Sequence, residues 1–183
     1  MADIIIATAS QPGCRLLSGL TAITIRHFPG DASARDAVQA QGMTWSNVSG
    51  ALTGQDPYLA WRGPQETIAL GFQLEPLHAL LHALAPGRSE SALAVDLSEA
   101  LTVFELHGPQ LDVWLSHLVD AMAIPYLPGR VCRCRLADVA VLLLRLDPER
   151  VWLVADGPSA PYVSNWMSYS HQGAFDVGRL ASA

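Results

Sequence analysis

Residues 101–122 read LTVFELHGPQLDVWLSHLVDAM, and they decide the fold because a second version of the pattern lies about eighty residues earlier. The stretch begins with alternating apolar residues typical of a strand and continues with a helix from Pro109 to Met122. Residues 23–41, ITIRHFPGDASARDAVQAQ, follow the same order, with a helix from Asp31 to Gln41. The pattern therefore predicts one structural unit that occurs twice.

Each copy continues with two more strands and a second helix. In the first copy the predicted segments are Ile23–Arg26, Asp31–Gln41, Pro57–Arg62, Glu66–Leu70 and Leu74–Leu84. In the second they are Leu101–Leu106, Pro109–Met122, Val139–Leu146, Val151–Val154 and Pro158–Tyr169. Both copies run strand, helix, strand, strand, helix, although few residues are identical between them. We expect an α+β fold built from a duplicated β-α-β-β-α unit.

The boundaries of the copies follow from breaks in the pattern. Residues 1–20 are interrupted by Gln-Pro-Gly and are predicted to be a lead-in segment, before a first half at 21–86. The run Ala-Pro-Gly-Arg-Ser at residues 85–89 ends the second helix, and residues 87–94 are predicted to connect the halves. The second half is 95–171, and 172–183 is a C-terminal tail. At this length we expect a single compact domain overall.

Apolar stripes predict which helix faces are buried. The first stripe comprises Leu74, Leu77, Leu80, Leu81 and Leu84, and the second comprises Leu111, Leu115, Leu118, Val119 and Met122. The run Val141–Leu144 is continuously apolar, which indicates a strand buried on both faces. Residues 43–56 are rich in turn-forming residues and predict a loop with one short strand.

The composition is poor in charge and contains no lysine. Half of the 183 residues are hydrophobic and 15% are charged, against about 25% in typical soluble proteins. All eleven basic residues are arginine. A GC-rich genome explains this bias in part, and a surface that is buried by a protein partner explains it equally well. The absence of lysine excludes a P-loop lysine, a Schiff-base lysine and lysine-attached biotin or lipoate.

Charge and hydropathy exclude other classes of partner. A net charge of −6 argues against binding to duplex nucleic acid, whose affinity comes mainly from neutralised phosphates. Arg130, Arg133 and Arg135 are the one basic concentration, and strand alternation places Arg133 and Arg135 on the face opposite Cys132 and Cys134. No apolar run is long enough to cross a membrane, and no signal peptide is recognisable. We expect no membrane association and a cytoplasmic location with reduced cysteines.

Candidate catalytic and metal-binding residues are few. His78 and His82 have the i, i+4 spacing of two ligands on a helix, but no third ligand has a recognisable spacing, so solvated histidines are the favoured interpretation. Cys132 and Cys134 could hold two corners of a zinc site, but Cys14 is unplaced and the sequence has no second pair. No nucleophile-elbow or dinucleotide-binding motif is present. The sequence predicts no catalytic, cofactor-binding or metal residue.

Three segments carry a family resemblance. Trp61–Leu70 (WRGPQETIAL) resembles the W-x-G-P-x-E-x-x-L stretch of the gamma subunit of heterotetrameric sarcosine oxidase. Val95–Ser98 with Val103–Pro109 is similar to that family's D-x-S and G-P stretches. Arg135–Leu143 with Val151–Val154 resembles the R-L-A-x-V-x-V-x-L and L-x-V stretches of the same family. The resemblance covers about residues 20–170 and extends more loosely to the glycine-cleavage T-protein, a folate-binding fold.

This resemblance implies a T-protein-like fold with mostly antiparallel sheets and a non-catalytic, gamma-type subunit. The complex would oxidatively demethylate sarcosine or a related N-methyl amino acid. Partners would be larger flavin- and NAD-binding alpha and beta subunits and a small delta subunit. FAD, FMN, NAD and tetrahydrofolate are expected in those partners and no cofactor in this chain. Asp96 is the nearest match to a family position of interest, and we interpret it as a turn residue.

The alternative is a free-standing folate-binding protein or one-carbon transferase of the T-protein type. It would need an aromatic wall for the pterin and a carboxylate to pair with the ring nitrogens. Trp45, Trp61, Trp152 and Trp166 are the candidates for such a wall, although buried tryptophan is the ordinary interpretation of each. For a subunit, we expect the partner surface around Arg130–Arg135 and the final helix with Trp166.

Overall fold

A computed structural model describes residues 5–30 and 32–175, and it divides the chain into two compact units. The first unit is Gly19–Leu101; the second comprises the described residues before Gly19 and after Leu101. In chain order the elements are β1 (Gly13–Leu17), β2 (Thr21–His27), α1 (Ser33–Ala40), β3 (Leu52–Gly54), β4 (Tyr58–Gly63), β5 (Glu66–Gly71), α2 (Leu74–Ala83), β6 (Ala92–Asp96), β7 (Leu101–His107), α3 (Leu111–Leu118), β8 (Arg130–Leu136), β9 (Val139–Asp147), β10 (Arg150–Asp156) and α4 (Ala160–Phe175).

The first unit is a five-stranded sheet covered by two helices. The strand order is β3-β4-β5-β2-β6, and all neighbouring strands pair antiparallel. Helices α1 and α2 both contact β2 and β6. The core between them includes Ile23 and Ile25 of β2, Val38 of α1, and Leu77 and Leu80 of α2. Alternation along β2 thus turns one set of side chains toward the helices.

The second unit has the same construction. Its strand order is β1-β7-β10-β9-β8, with antiparallel pairing of β1 with β7, β10 with β9, and β9 with β8. Helices α3 and α4 pack against each other, and α4 also contacts β10. The core includes Trp114, Leu115, Leu143, Leu153 and Met167. The predicted α+β fold with a duplicated unit is confirmed.

Strand positions correspond one to one between the two sheets, but the fifth strand of each sheet comes from a different place in the sequence. Strands β3, β4, β5 and β2 occupy the places that β8, β9, β10 and β7 occupy in the other sheet. In the first unit the fifth place is filled by β6, which follows α2 in the chain. In the second unit it is filled by β1, which comes before the whole first unit in the chain. Residues 1–20, predicted as a lead-in, therefore contribute a strand. The boundary between the units also lies near residue 101, and the predicted connection at 87–94 runs into β6.

The predicted helices and strands recur with different ends. The predicted helix Pro109–Met122 is too long: α3 stops at Leu118, because Val119 is extended with φ −138° and ψ 165°. Met122 is 94% exposed, so its place in the buried stripe was wrong. Leu74 is likewise exposed, because it is the first residue of α2. Asp31, the predicted start of the first helix, lies outside the described residues.

Both faces of β9 are buried, as the apolar run predicts. Leu143 has no exposed surface and points into the helix-side core, and its neighbours Leu142 and Leu144 are buried as well. The predicted short strand within residues 43–56 is β3. Within residues 5–30 and 32–175, the helices are too short or too polar to span a lipid bilayer.

Candidate functional site

The two helix histidines stand apart from any metal-ligand cluster. His78 and His82 are exposed on α2. Across the described residues, no three His, Cys, Asp or Glu side chains lie close enough together to hold a metal ion. Cys132 and Cys134 share a face of β8, as predicted. Burial raises the pKa of Cys134 to about 12, which favours the thiol over the thiolate that a metal binds.

Asp96 ends β6 and caps the following turn. Its Oδ1 accepts hydrogen bonds from the hydroxyl of Ser98 at 2.6 Å and from the backbone N–H of Ser98 at 2.8 Å. These two bonds lower the pKa of Asp96. The Ser98 hydroxyl in turn accepts a bond from the N–H of Ala22 on β2. The carboxylate therefore orders the turn after β6, which matches its interpretation as a turn residue.

Two of the four candidate tryptophans line one cleft in the first unit. Trp45 and Trp61 are both half-buried and line a cleft of about 330 Å³. His27, Arg35 and Asn47 also line this cleft. The Trp45 indole donates to Asn47 Oδ1 at 2.7 Å, and His27 meets the Trp45 ring edge-on at 5.1 Å. An aromatic cleft of this kind can take a planar ligand. No described lining residue supplies the carboxylate that a pterin would need.

Trp152, in the second unit, takes part in a buried polar cluster that sequence reasoning missed. Glu105 on β7 is only 4% exposed. Its Oε1 accepts from Arg15 Nε at 2.9 Å and lies 2.6 Å from Arg15 Nη2, and its Oε2 accepts from Trp152 Nε1 at 3.0 Å. The cluster therefore joins β1, β7 and β10. Glu105 alternates with apolar neighbours in sequence, so nothing local marks it as buried.

A second buried charge lies on the helix side of the same sheet. Arg145 on β9 is 2% exposed, and its Nη2 lies 2.8 Å from Oδ1 of Asp112 on α3. Among the described residues, its Nε and Nη1 have no hydrogen-bond partner. A buried arginine is tolerated when it is paired, so this ion pair fixes α3 against the sheet. The only sequence signal is an arginine that directly follows the run Val141–Leu144.

Helix α4 presents an exposed aromatic stripe, which we call the aromatic face of α4: Tyr162, Trp166 and Tyr169. The spacing i, i+4, i+7 places the three residues on one side of the helix, and the Trp166 and Tyr169 rings meet edge-on at 5.6 Å. The sixteen residues of α4 include no Asp, Glu, Lys or Arg. Exposed aromatic residues without charge are typical of a protein interface. Of the four candidate tryptophans, Trp166 is thus the exposed one.

The segment after α3 adds exposed apolar side chains to the second unit. Met122, Tyr126 and Leu127 are all exposed between α3 and β8. Arg130, Arg133 and Arg135 are exposed along β8, the last strand of its sheet. Charged side chains on an edge strand prevent unwanted strand pairing. This basic edge therefore has a structural explanation, whereas no described residue covers the aromatic face of α4.

Comparison with known proteins supports the fold but gives no sequence-level match. Neither the models of protein families nor the curated proteins match this sequence. The fold superposes on a chain of heterotetrameric sarcosine oxidase from Corynebacterium sp. U-96, with a TM-score of 0.81 and 22% identity over 92% of this chain and 88% of that chain. It also superposes on the glycine cleavage system aminomethyltransferase T from Bartonella henselae, with a TM-score of 0.61 and 9% identity over 87% of this chain and 46% of that chain. The T-protein-like fold that the resemblance implies is confirmed.

Proposed function

We propose that this chain is a non-catalytic subunit of a sarcosine-oxidase-like complex that oxidatively demethylates sarcosine or a related N-methyl amino acid. The observation that carries the proposal is the share of each solved chain that the fold covers. The fold accounts for 88% of a chain from a heterotetrameric oxidase, but for only 46% of the aminomethyltransferase. The superposition therefore takes in most of an oxidase subunit and about half of the transferase.

The chemistry of the surface supports the same proposal. The described residues offer an uncharged aromatic helix face and exposed apolar residues before β8. Larger exposed apolar patches mark sites of protein association. The sequence has no lysine and a low charge content, which suits a chain that is covered by partners.

The proposal assigns the oxidation to other chains. Alpha and beta subunits would bind FAD, FMN, NAD and tetrahydrofolate, a small delta subunit would complete the heterotetramer, and this chain would bind no cofactor. It retains the cytoplasmic location expected from the sequence. We further propose that the aromatic face of α4 contacts the partner, because an exposed tryptophan that meets a tyrosine edge-on is a typical interface anchor.

Affinity purification of the tagged chain from its native host tests the proposal. We expect flavin-containing chains to be recovered in equal molar amounts with it. Trp166→Asp should reduce this recovery at least tenfold, because it places a charge in an apolar contact. Gln172→Asp adds the same charge to an exposed polar position of the same helix and serves as the matched control. Wild-type chain that elutes without any flavin-containing partner would exclude the subunit function.

The alternative, a free-standing folate-binding protein or one-carbon transferase, rests on the cleft beside Trp45 and Trp61. Tetrahydrofolate would then quench tryptophan fluorescence in the isolated chain, and Trp61→Leu would abolish part of that quenching. The exposed Trp166 serves as the control position, because Trp166→Leu should leave the folate-dependent change intact. Saturable quenching by a chain that purifies alone would favour the alternative.

A further inference from the structure

The second unit takes its outermost strand from the opposite end of its sequence. Strand β1 pairs with β7 from Gly13 opposite His107 to Leu17 opposite Val103. In the first unit the equivalent place beside β2 is filled by β6, which follows the second helix directly. If both units had the same chain order, the fifth strand of the second unit would follow α4. The second unit is therefore a circularly permuted version of the first.

Contacts at the helix ends agree with this permutation. In the first unit, the N–H of Ala94 on β6 donates to the carbonyl of Leu84, the residue after α2, at 3.0 Å. In the second unit, Nε2 of His171 in the last turns of α4 lies 3.0 Å from the carbonyl oxygen of Pro12, the residue before β1. The start of β1 is thus next to the helix end from which a continuous chain would arrive.

Side chains of β1 are bound by residues that lie far away in sequence. Cys14 is buried in the core of the second unit, with its Sγ 4.0 Å from the sulfur of Met167 on α4. Arg15 forms the ion pair with the buried carboxylate of Glu105. Within the amino-terminal segment, Ile5 pairs with Cys14 through two backbone hydrogen bonds. A Cβ at Gly13 would clash with the backbone of Ile5 and Ala7, so this hairpin requires glycine there.

We propose that the edge of β7, together with the adjoining side of α4, is a binding site for an extended peptide, and that residues 5–17 are its built-in ligand. The site accepts main-chain hydrogen bonds, as in recognition by strand addition. It selects a small apolar residue and then arginine, at the positions of Cys14 and Arg15, whereas glycine at position 13 is required by the hairpin within the ligand itself. The segment acts as a donor strand that stays bound after its covalent link to the rest of the chain is cut. This inference does not depend on the proposed function.

Cleavage of the intact, folded chain tests this site. Ser18 and Gly19 are exposed between β1 and β2, and the space around Gly19 is open, while its φ of +73° means that the insertion keeps the glycine itself. A protease recognition sequence inserted there can be cut after the full chain has folded. We expect the amino-terminal fragment to co-elute with the rest of the chain in gel filtration. A fluorescent synthetic peptide, IIATASQPGCRLLS (residues 5–18), should then exchange with it.

A matched peptide measures the specificity of the exchange. Cys14→Asp in the peptide buries an unpaired charge and should weaken its binding at least roughly tenfold. Leu16→Asp is the control, because Leu16 is exposed and should tolerate the charge. Release of the fragment after cleavage would overturn the proposal, whether the remaining chain keeps its fold or loses it. Equal binding of the Cys14→Asp and wild-type peptides would overturn it too.

Discussion

Leu143→Ala tests whether the helix-side core of the second unit holds that unit together. Leu143 has no exposed surface and lies on the central part of β9, opposite Cys132 on β8 and Leu153 on β10. The substitution removes three buried carbons. At about 0.8 kcal/mol of transfer free energy for each carbon, the loss is roughly 2.5 kcal/mol. The cavity left between two paired strands and the helices raises the expected total to about 2–5 kcal/mol.

Urea unfolding followed by tryptophan fluorescence and circular dichroism measures this cost. The midpoint should fall while the slope stays unchanged, because the surface exposed on unfolding is nearly the same. In a thermal melt, a loss of this size lowers the Tm by roughly 5–20 °C for a chain of this length. If the two units unfold in separate transitions, the lower midpoint should belong to the second unit.

The matched control is Leu127→Ala, which makes the same chemical change at a side chain that is 69% exposed. Its effect should stay below about 0.5 kcal/mol, as is usual for surface positions. A Leu143→Ala midpoint equal to the wild-type value would refute the reasoning, because the strand run could not then be core.

Three further predictions follow from individual contacts. Burial and the charge of Glu105 raise the pKa of Cys14 to about 12, so at pH 8 a thiol reagent should modify Cys132 in the native protein long before Cys14. Equal rates of modification would contradict the burial of Cys14. Ser98→Ala removes the hydroxyl that helps to lower the pKa of Asp96, so NMR titration should show that this pKa rises. Because the pKa of Asp96 is lower in the native state than in the unfolded state, the stability that its carboxylate contributes is present at neutral pH and is lost as the pH falls. Glu105→Gln should cost about 1–3 kcal/mol in urea unfolding, because a buried amide has one acceptor oxygen for the two donors, Arg15 and Trp152, that the carboxylate serves. An unchanged midpoint would show that the second acceptor contributes nothing.

Much of the fold could be predicted because its signals are local. Alternation along β8 placed Arg133 and Arg135 opposite Cys132 and Cys134, and the structure has the same arrangement. The errors fall at element ends. Met122 fits the apolar stripe of α3, but the backbone leaves the helix at Val119 and carries that side chain into solvent.

The candidate site was less predictable, because it depends on which residues meet in space. Trp45, Trp61, Trp152 and Trp166 look alike in sequence, and the structure separates them. Trp45 and Trp61 line a cleft, Trp152 bonds to a buried carboxylate, and Trp166 is exposed on α4. Periodicity reports which face a side chain takes, but it does not report what covers that face.

By itself, the sequence determined the element order of two similar units, the faces of most helices and strands, and the run of β9 that is buried on both sides. Each of these depends on hydrophobic periodicity over a few turns or strand residues. Only the tertiary structure decided that β1 completes the second sheet and that Glu105 and Arg145 are buried in ion pairs. Those features join residues far apart in sequence, such as Arg15 and Glu105, which are 90 positions apart, and no local pattern encodes such a pairing.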